Sequence, residues 1–244
     1  MRPQDIKAHV EKYYSRFYRR EQGRRLPIKT GKALAASLGY PLDSLRFVPE
    51  EHWEKFIPCG NPLPHVHPTA GDRILNLGCG ASIDSYVLSR APGVPVTIVG
   101  LDVVHEIMLQ AMELSSHQRL GGNALWWVCG DGEQLPFHSE SFDWVLLNGV
   151  LNLFADKLVL LDEIHRILGP SGRFVCTDLC SGSDLPDYFE DEPDGWAWCM
   201  SGACTEQNLT DLIEQSGFEL IHFIREEEAD LLYRITLACR KRHT

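Results

Sequence analysis

The chain has 244 residues, 44% of them hydrophobic and 23% charged, enough to bury one full α/β-sized core with a short appendage. Its formal net charge of −11 argues against nucleic acid as a partner, because affinity for phosphate polymers comes from Lys and Arg that displace counterions. The N-terminus "MRPQDIKAHVEKYY" has no apolar signal core and no run approaches the ~18 apolar residues of a membrane span, so the expectation is a cytoplasmic protein without membrane contact.

The first predicted element is a helix, since Val10, Tyr13, Tyr14, Phe17 and Tyr18 recur at helical spacing and form an aromatic face expected to pack. Lys12, Arg16, Arg19, Arg20, Arg24 and Arg25 read as its solvated side. Pro27, Gly31, Gly39-Tyr40-Pro41, Pro49 and the run from Pro58 to Pro68 then punctuate an irregular cap, expected over residues 1–70. From Gly71 strands and helices alternate. "RILNL", "VPVTIVGLD", "ALWWVCGD", "FDWVLLN" and "GRFVCTDL" are expected strands, while Asp84 to Arg90, "HEIMLQAMELSSH" and "KLVLLDEIHRIL", the last stopped by Gly169-Pro170, are expected helices. Right-handed crossovers turn this pattern into a mostly parallel sheet with ligands at the carboxyl ends of its strands. The helix "EQNLTDLIEQSG" precedes "FELIHFIRE" and "LLYRITLACR", an expected antiparallel pair at the sheet edge. The fold class is thus α/β, Rossmann-like: a core over 71–180, and a C-terminal substrate segment with the closing strands over 181–244.

"ILNLGCGASIDSY" reads as a strand entering a glycine turn and then a helix, without the G-x-G-x-x-G of a dinucleotide site, because Gly78 and Gly80 are followed by Ala81, Ser82 and Ile83. The second strand ends in Asp102, about 20 residues on, where a carboxylate accepts hydrogen bonds from ribose hydroxyls. Asp131 follows the third strand, in reach of an adenine lying across the strand ends. This ordered series resembles the class I S-adenosylmethionine methyltransferases, whose hallmark is D-x-G-x-G-x-G. The resemblance implies S-adenosylmethionine as cofactor, held by Asn76, Leu77, Gly78, Cys79, Gly80, Asp84, Asp102, Val103, Asp131, Gly132 and Asn148. Asn76 replaces the acidic residue and Ser82 the third glycine, so cofactor affinity is expected to be reduced, and Asn76→Asp with Ser82→Gly to strengthen it.

With the flanking segments included, "CGNPLPHVHPTAGD", "LLNGVLNLFADK" and "WAWCMSGACTEQNL" resemble the arsenite methyltransferase family, over a span from about Val10 to Phe223. That family captures trivalent arsenic on three thiols. Cys59 and Cys199 match two of these positions, Gly149 stands at the third, and "LPIKTGKALAAS" has no counterpart of the family's early cysteines. The resemblance therefore implies a soft small-molecule methyl acceptor, a trivalent arsenical carrying one carbon substituent, held by Cys59 and Cys199, with Gly149→Cys expected to improve capture of arsenite. An arsenic lone pair attacks without a general base, so the protein's task is positioning and exclusion of water, with the Tyr13-Tyr14 helix closing over the cofactor.

The eight cysteines of this chain are expected to be mostly free thiols. Cys79, Cys129, Cys176, Cys180 and Cys239 are expected to pack, and Cys204 sits at a helix start whose dipole lowers a thiol pKa. His65 and His67 have spacing for a metal site with Cys59, but proline-rich loops more often carry solvated histidines, and no metal is expected. Trp196 and Trp198 flank either a substrate mouth or the core. Two other readings stay open: a methyltransferase for a natural-product oxygen, nitrogen, sulfur or carbon acceptor, and a non-catalytic binding protein with impaired cofactor binding.

Overall fold

Short apolar runs bounded by glycines suit the inner strands of a parallel sheet, and "RILNL", "TIVGLD" and "FDWVLLN" take those places while "ALWWVC" forms an edge. The computed structural model describes residues 1–19, 30–90, 94–116, 122–189, 191–226 and 231–242; Arg20, Arg24, Arg25 and Pro27 lie outside the described residues. Helices α1 (Pro3–Arg19), α2 (Gly31–Ser37) and α3 (Glu50–Trp53) precede β1 (Arg73–Leu77), α4 (Ile83–Ser89), β2 (Thr97–Asp102), α5 (His105–Ser116), β3 (Ala124–Cys129) and β4 (Phe142–Asn148). Then come α6 (Lys157–Ile167), β5 (Leu168–Ser181), α7 (Pro193–Ala197), α8 (Glu206–Gln215), β6 (Phe218–Arg225) and β7 (Leu232–Lys241).

The seven strands form one sheet in the order β3-β2-β1-β4-β5-β7-β6. β1 to β5 pair in parallel, and β7 pairs antiparallel with both β5 and β6, so the α/β sheet with an antiparallel C-terminal edge is as the sequence leads one to expect. Strand order reverses between β1 and β4, which opens a crevice at their carboxyl ends. One face buries Leu75, Leu147, Leu160 and Ile164 together with Leu209 and Ile213 of α8. On another side Tyr40, Trp53 and Phe56 pack against Ile83 and Tyr86, so the N-terminal segment shares its core with α4.

One boundary differs from the sequence expectation. β5 starts directly at Leu168 and runs through Gly169-Pro170, with a register shift between Phe142 and Trp144 of its neighbour that accommodates the extra residues. A proline is tolerated in such an irregular pairing because the ladder asks no hydrogen of it there. Helix starts follow their caps: Asp156 accepts from Leu158 N at 3.1 Å and Thr205 from Asn208 N at 3.2 Å.

Ser82, which precedes α4, has a left-handed backbone with φ of 63°. An L-residue with a Cβ pays roughly 1–2 kcal/mol there, a cost glycine avoids. Ser82→Gly is therefore expected to stabilise the protein by up to about 1 kcal/mol, after the extra unfolded-state freedom of glycine is deducted. Urea unfolding of the two proteins measures this; a destabilised variant means that the Ser82 hydroxyl, 3.2 Å from the Gly80 carbonyl, outweighs the strain.

Candidate active site

The turn after β1 is shaped by what it must avoid. Gly78 has φ of 67°, and a Cβ there would meet Val150 Cγ2 at 2.4 Å, so only glycine lets β1 turn against the end of β4. Cys79 N donates to Leu101 O at 3.0 Å. Asp102, at the end of β2, accepts from Gly80 N through Oδ2 at 2.9 Å and from Val104 N through Oδ1 at 2.9 Å. Its carboxylate thus stitches the glycine turn to the start of α5, and burial pushes its pKa up against the pull of those N–H groups.

These strand ends floor a cavity of about 1090 Å³, counted with its open mouth. Leu77, Gly78, Cys79, Gly80, Asp84, Asp102, Val103, Asp131, Gly132 and Asn148 all line it, so ten of the eleven expected cofactor-site residues come together. Asn76 does not. Its side chain is buried and donates to Ser85 Oγ at 2.9 Å, so an acidic residue at 76 would bury a carboxylate behind the wall, and the expected gain in cofactor binding from Asn76→Asp loses its basis. The roof is α1, where Lys7, Val10, Glu11, Tyr14 and Tyr18 face the cavity, joined by Lys55 to Pro58 of the cap. Lys7 pairs with Asp131 and, at 2.6 Å, with Glu133, and the Tyr14 hydroxyl donates to Ala197 O at 2.9 Å. The aromatic face packs as expected: Tyr18 with Cys79, Val104 and Met108, and Tyr13 edge-on to Trp198 with ring centroids 5.8 Å apart. Trp196 is buried with Ile6 and Val10.

Asn148 closes β4 and organises the inner end. Its Oδ1 accepts from Cys59 N at 3.0 Å, Gly60 N at 3.2 Å and Thr177 Oγ1 at 2.8 Å. Its Nδ2 donates to the Tyr40 hydroxyl at 3.0 Å, Gly60 O at 3.2 Å and Asp84 Oδ2 at 3.1 Å. Tyr40 also donates to Asp84 Oδ1 at 2.7 Å. Burial still wins at Asp84, whose pKa rises from 3.8 to about 6.

Cys59 and Cys199 are brought together behind Gly149, outside the cavity wall but against it. The Cys199 thiol donates to Gly149 O at 3.3 Å, and its sulfur, that of Cys59 and a carboxylate oxygen of Asp178 all lie within 4.8 Å of one another. Its hydrogen bond with Cys59, then burial and the nearby Asp178, push the Cys199 pKa well up. A Cβ at Gly149 would stand 2.9 Å from Cys59 Sγ, at a φ of 70°. Gly149→Cys therefore displaces a thiol of the pair it was expected to complete.

Other expectations are corrected here. Cys204 has its pKa raised, because burial outweighs the nearby Lys157 and the helix start. Cys79, Cys176, Cys180 and Cys239 are buried, but Cys129 is exposed at the end of β3. His65 lies beside His222, with ring centroids 6.5 Å apart, and neither it nor His67 joins the potential ligand group at Cys59. Asp178, Tyr40 and Lys7 escaped the sequence reading. Asp178 had a signal, its place near the carboxyl end of β5 beside Asn148, whereas Lys7 and Tyr40 had none that distinguishes them from surface or core.

The sheet order, the crevice and its glycine turn define a class I methyltransferase fold. The chain belongs to the methyltransferase domain family, which matches residues 68–217. It is 28% identical to the arsenite methyltransferase of Halobacterium salinarum over 192 residues, 79% of this chain and 48% of the relative. It is 31% identical to the demethylmenaquinone methyltransferase of Staphylococcus haemolyticus over 131 residues, 53% of this chain and 51% of that one. Among solved structures, CrArsM, an arsenic (III) S-adenosylmethionine methyltransferase from Chlamydomonas reinhardtii, superposes with a TM-score of 0.68 at 27% identity, covering 81% of this chain and 72% of the other. The chain spans about half the length of the curated relatives it matches.

Asp84 generates a stability prediction. Its folded pKa lies above the ordinary 3.8, so the folded state holds the proton more tightly; the stabilising share is full below pH about 4 and is lost as pH rises through about 6. The loss is on the order of 3 kcal/mol. Urea unfolding across this window is expected to show a shallower decline for Asp84→Asn than for wild type. Parallel curves would mean that Asp84 is ionised throughout.

Proposed function

We propose that this chain transfers the methyl group of S-adenosylmethionine to a trivalent arsenical that already carries one carbon substituent. The observation that carries the reading is the convergence of Cys59 and Cys199 at Gly149, a residue of the cavity lining behind which the two thiols meet. The cavity fits the cofactor: the glycine turn leaves backbone room that a Cβ at Gly78 would fill, and Asp102 and Asp84 offer acceptors for hydroxyl and ammonium groups. Bound there, S-adenosylmethionine supplies an electrophilic sulfonium methyl group.

The chain's own residues then position the acceptor. Two thiols replace the two hydroxyls of R–As(OH)₂ and release two waters, which leaves arsenic on two sulfurs and one carbon with its lone pair free. With the cofactor bound, that lone pair would form the new arsenic–carbon bond as the methyl group left the sulfonium, so no residue of the chain would need to act as a base. α1 and the Lys55–Pro58 segment keep water out, which favours a charge-transferring displacement in a fixed geometry. Inorganic arsenite is held less well, since a third thiol is missing at Gly149. The likeness to demethylmenaquinone methyltransferases supports the second reading, a carbon acceptor, in which the thiols take no part.

Two measurements separate these readings. Calorimetry with S-adenosylhomocysteine is expected to show binding that falls at least about tenfold in Asp102→Ala, since a hydrogen bond to a charged acceptor contributes roughly 1.5–3 kcal/mol. No binding by wild type leaves the non-catalytic reading. Transfer from labelled S-adenosylmethionine is expected to favour a monomethyl trivalent arsenical over arsenite and to fall to background in Cys59→Ser and Cys199→Ser, because a hydroxyl is a poor soft ligand. Cofactor binding with turnover indifferent to both cysteines would sink the arsenic reading.

A further inference from the structure

The thiol pair has a third neighbour that the acceptor reading does not use. Asp178 is buried, and Asn152 holds it firmly: the amide Nδ2 donates to Oδ1 at 2.9 Å and the backbone N to Oδ2 at 3.1 Å, while Leu179 N donates to Oδ1 at 2.8 Å. Oδ2 keeps a lone pair. Among the described residues no cation forms an ion pair with this carboxylate, and a buried charge without a partner is costly. Lys157, buried nearby and turned to Phe154 O at 3.3 Å, is close enough to be felt but does not pair with it.

We propose that Cys59, Cys199 and Asp178 form a three-donor site for a thiophilic divalent cation, Zn²⁺ or Cd²⁺, and that its occupancy blocks the methyl acceptor. Three features converge on this. The donors come from three separate parts of the chain, the loop that follows α3, the end of β5 and the segment after α7, yet their atoms lie within 4.8 Å of one another. Bond lengths of about 2.3 Å to sulfur and 2.0–2.2 Å to oxygen put tetrahedral donors roughly 3.4–3.8 Å apart, so closing the site takes about an ångström of movement, which half-buried Cys59 can supply. Cys199 is held in a left-handed backbone with φ of 61°, strain that is paid where its thiol must face Cys59.

Donor chemistry sets the class of cation. Two sulfurs and one carboxylate oxygen suit a borderline or soft ion and reject Mg²⁺ and Ca²⁺, which require oxygen shells. Charge agrees: two thiolates and a carboxylate, a divalent cation and the Lys157 ammonium leave the buried region neutral. Asn152 is the outer partner that aims the carboxylate, as ligating groups require. Binding rests on donor geometry alone, whereas the block of methyl transfer rests on the acceptor reading above.

The test uses the full chain, reduced and metal-free, without cofactor or arsenical. Cd²⁺ is titrated while cadmium–thiolate charge-transfer absorbance is followed, and Zn²⁺ is titrated against a chromophoric chelator. The expected result is one equivalent bound, weakened at least about 100-fold by Cys59→Ser or Cys199→Ser and about 10-fold or more by Asp178→Asn, with millimolar Mg²⁺ not competing. Cd²⁺ is also expected to protect Cys59 and Cys199 of wild type from alkylation, read residue by residue by mass spectrometry, which decides the matter if a thiol variant fails to fold. No binding, binding indifferent to the cysteine variants, binding unchanged in Asp178→Asn, or absent protection overturns the site. Cation binding with no arsenical turnover leaves the metal site standing and removes the acceptor reading; turnover without cation binding does the reverse.

Discussion

The arrangement depends on one half-buried amide. Asn148 sits where β4 ends and ties four segments together: the Cys59–Gly60 loop, Tyr40 of the cap, Asp84 of α4 and Thr177 of β5. Each bond contributes on the order of 1 kcal/mol, but together they form a network in which losing one member leaves the others unsatisfied in a low dielectric. The consequence is positional. The wall of the cofactor cavity and the backbone of Cys59 share one anchor, so the distance between the two halves of the site is fixed by a single side chain.

The roof is held differently. Lys7 spans Asp131 and Glu133, and Arg19 reaches Glu106, with each of these side chains 30% or more exposed. Such pairs contribute little net stability and register the helix more than they fasten it. The holding force is apolar: Ile6 and Val10 bury against Trp196, and Tyr18 against Cys79 and Met108. Helix α1 therefore bridges the cofactor side and the C-terminal segment that carries Cys199. That bridge gives the aromatic stripe a role beyond packing, because residues of the same helix, Val10, Tyr14 and Tyr18, also line the cavity.

Burial governs the titrating groups here. Asp84, Asp102 and Asp178 are all pushed upward in spite of several N–H and O–H donors, and Cys199 and Cys204 are pushed upward in spite of a helix start and a nearby lysine. A helix dipole acts within its first turn and weakens against desolvation, which is why Cys204 defeated a reading based on its position alone. A thiol that stays protonated until a soft centre arrives is a selective ligand, since only a strong thiophile compensates for loss of the proton.

The sequence by itself determined the sheet, the glycine turn and the strand-end acceptors, because each is a local pattern: apolar runs of strand length, glycines where the chain must turn, polar residues one step past a strand. Ten of the residues it proposed around a cofactor line one cavity, and Cys59 and Cys199, proposed by likeness to a family, lie beside each other. It misjudged Asn76, whose side chain points to Ser85 instead of the cavity, because facing depends on what the neighbouring helix offers. It misjudged Gly149, since only the approach of Cys59 from a distant loop shows that a side chain there has no room. And it passed over Asp178, Tyr40 and Lys7, whose importance arises from partners 21, 44 and 124 positions away in the chain, Cys199, Asp84 and Asp131. Local pattern fixes what the backbone can do, whereas proximity between remote side chains exists only after the chain has packed, and the chemistry of this site is made of such proximities.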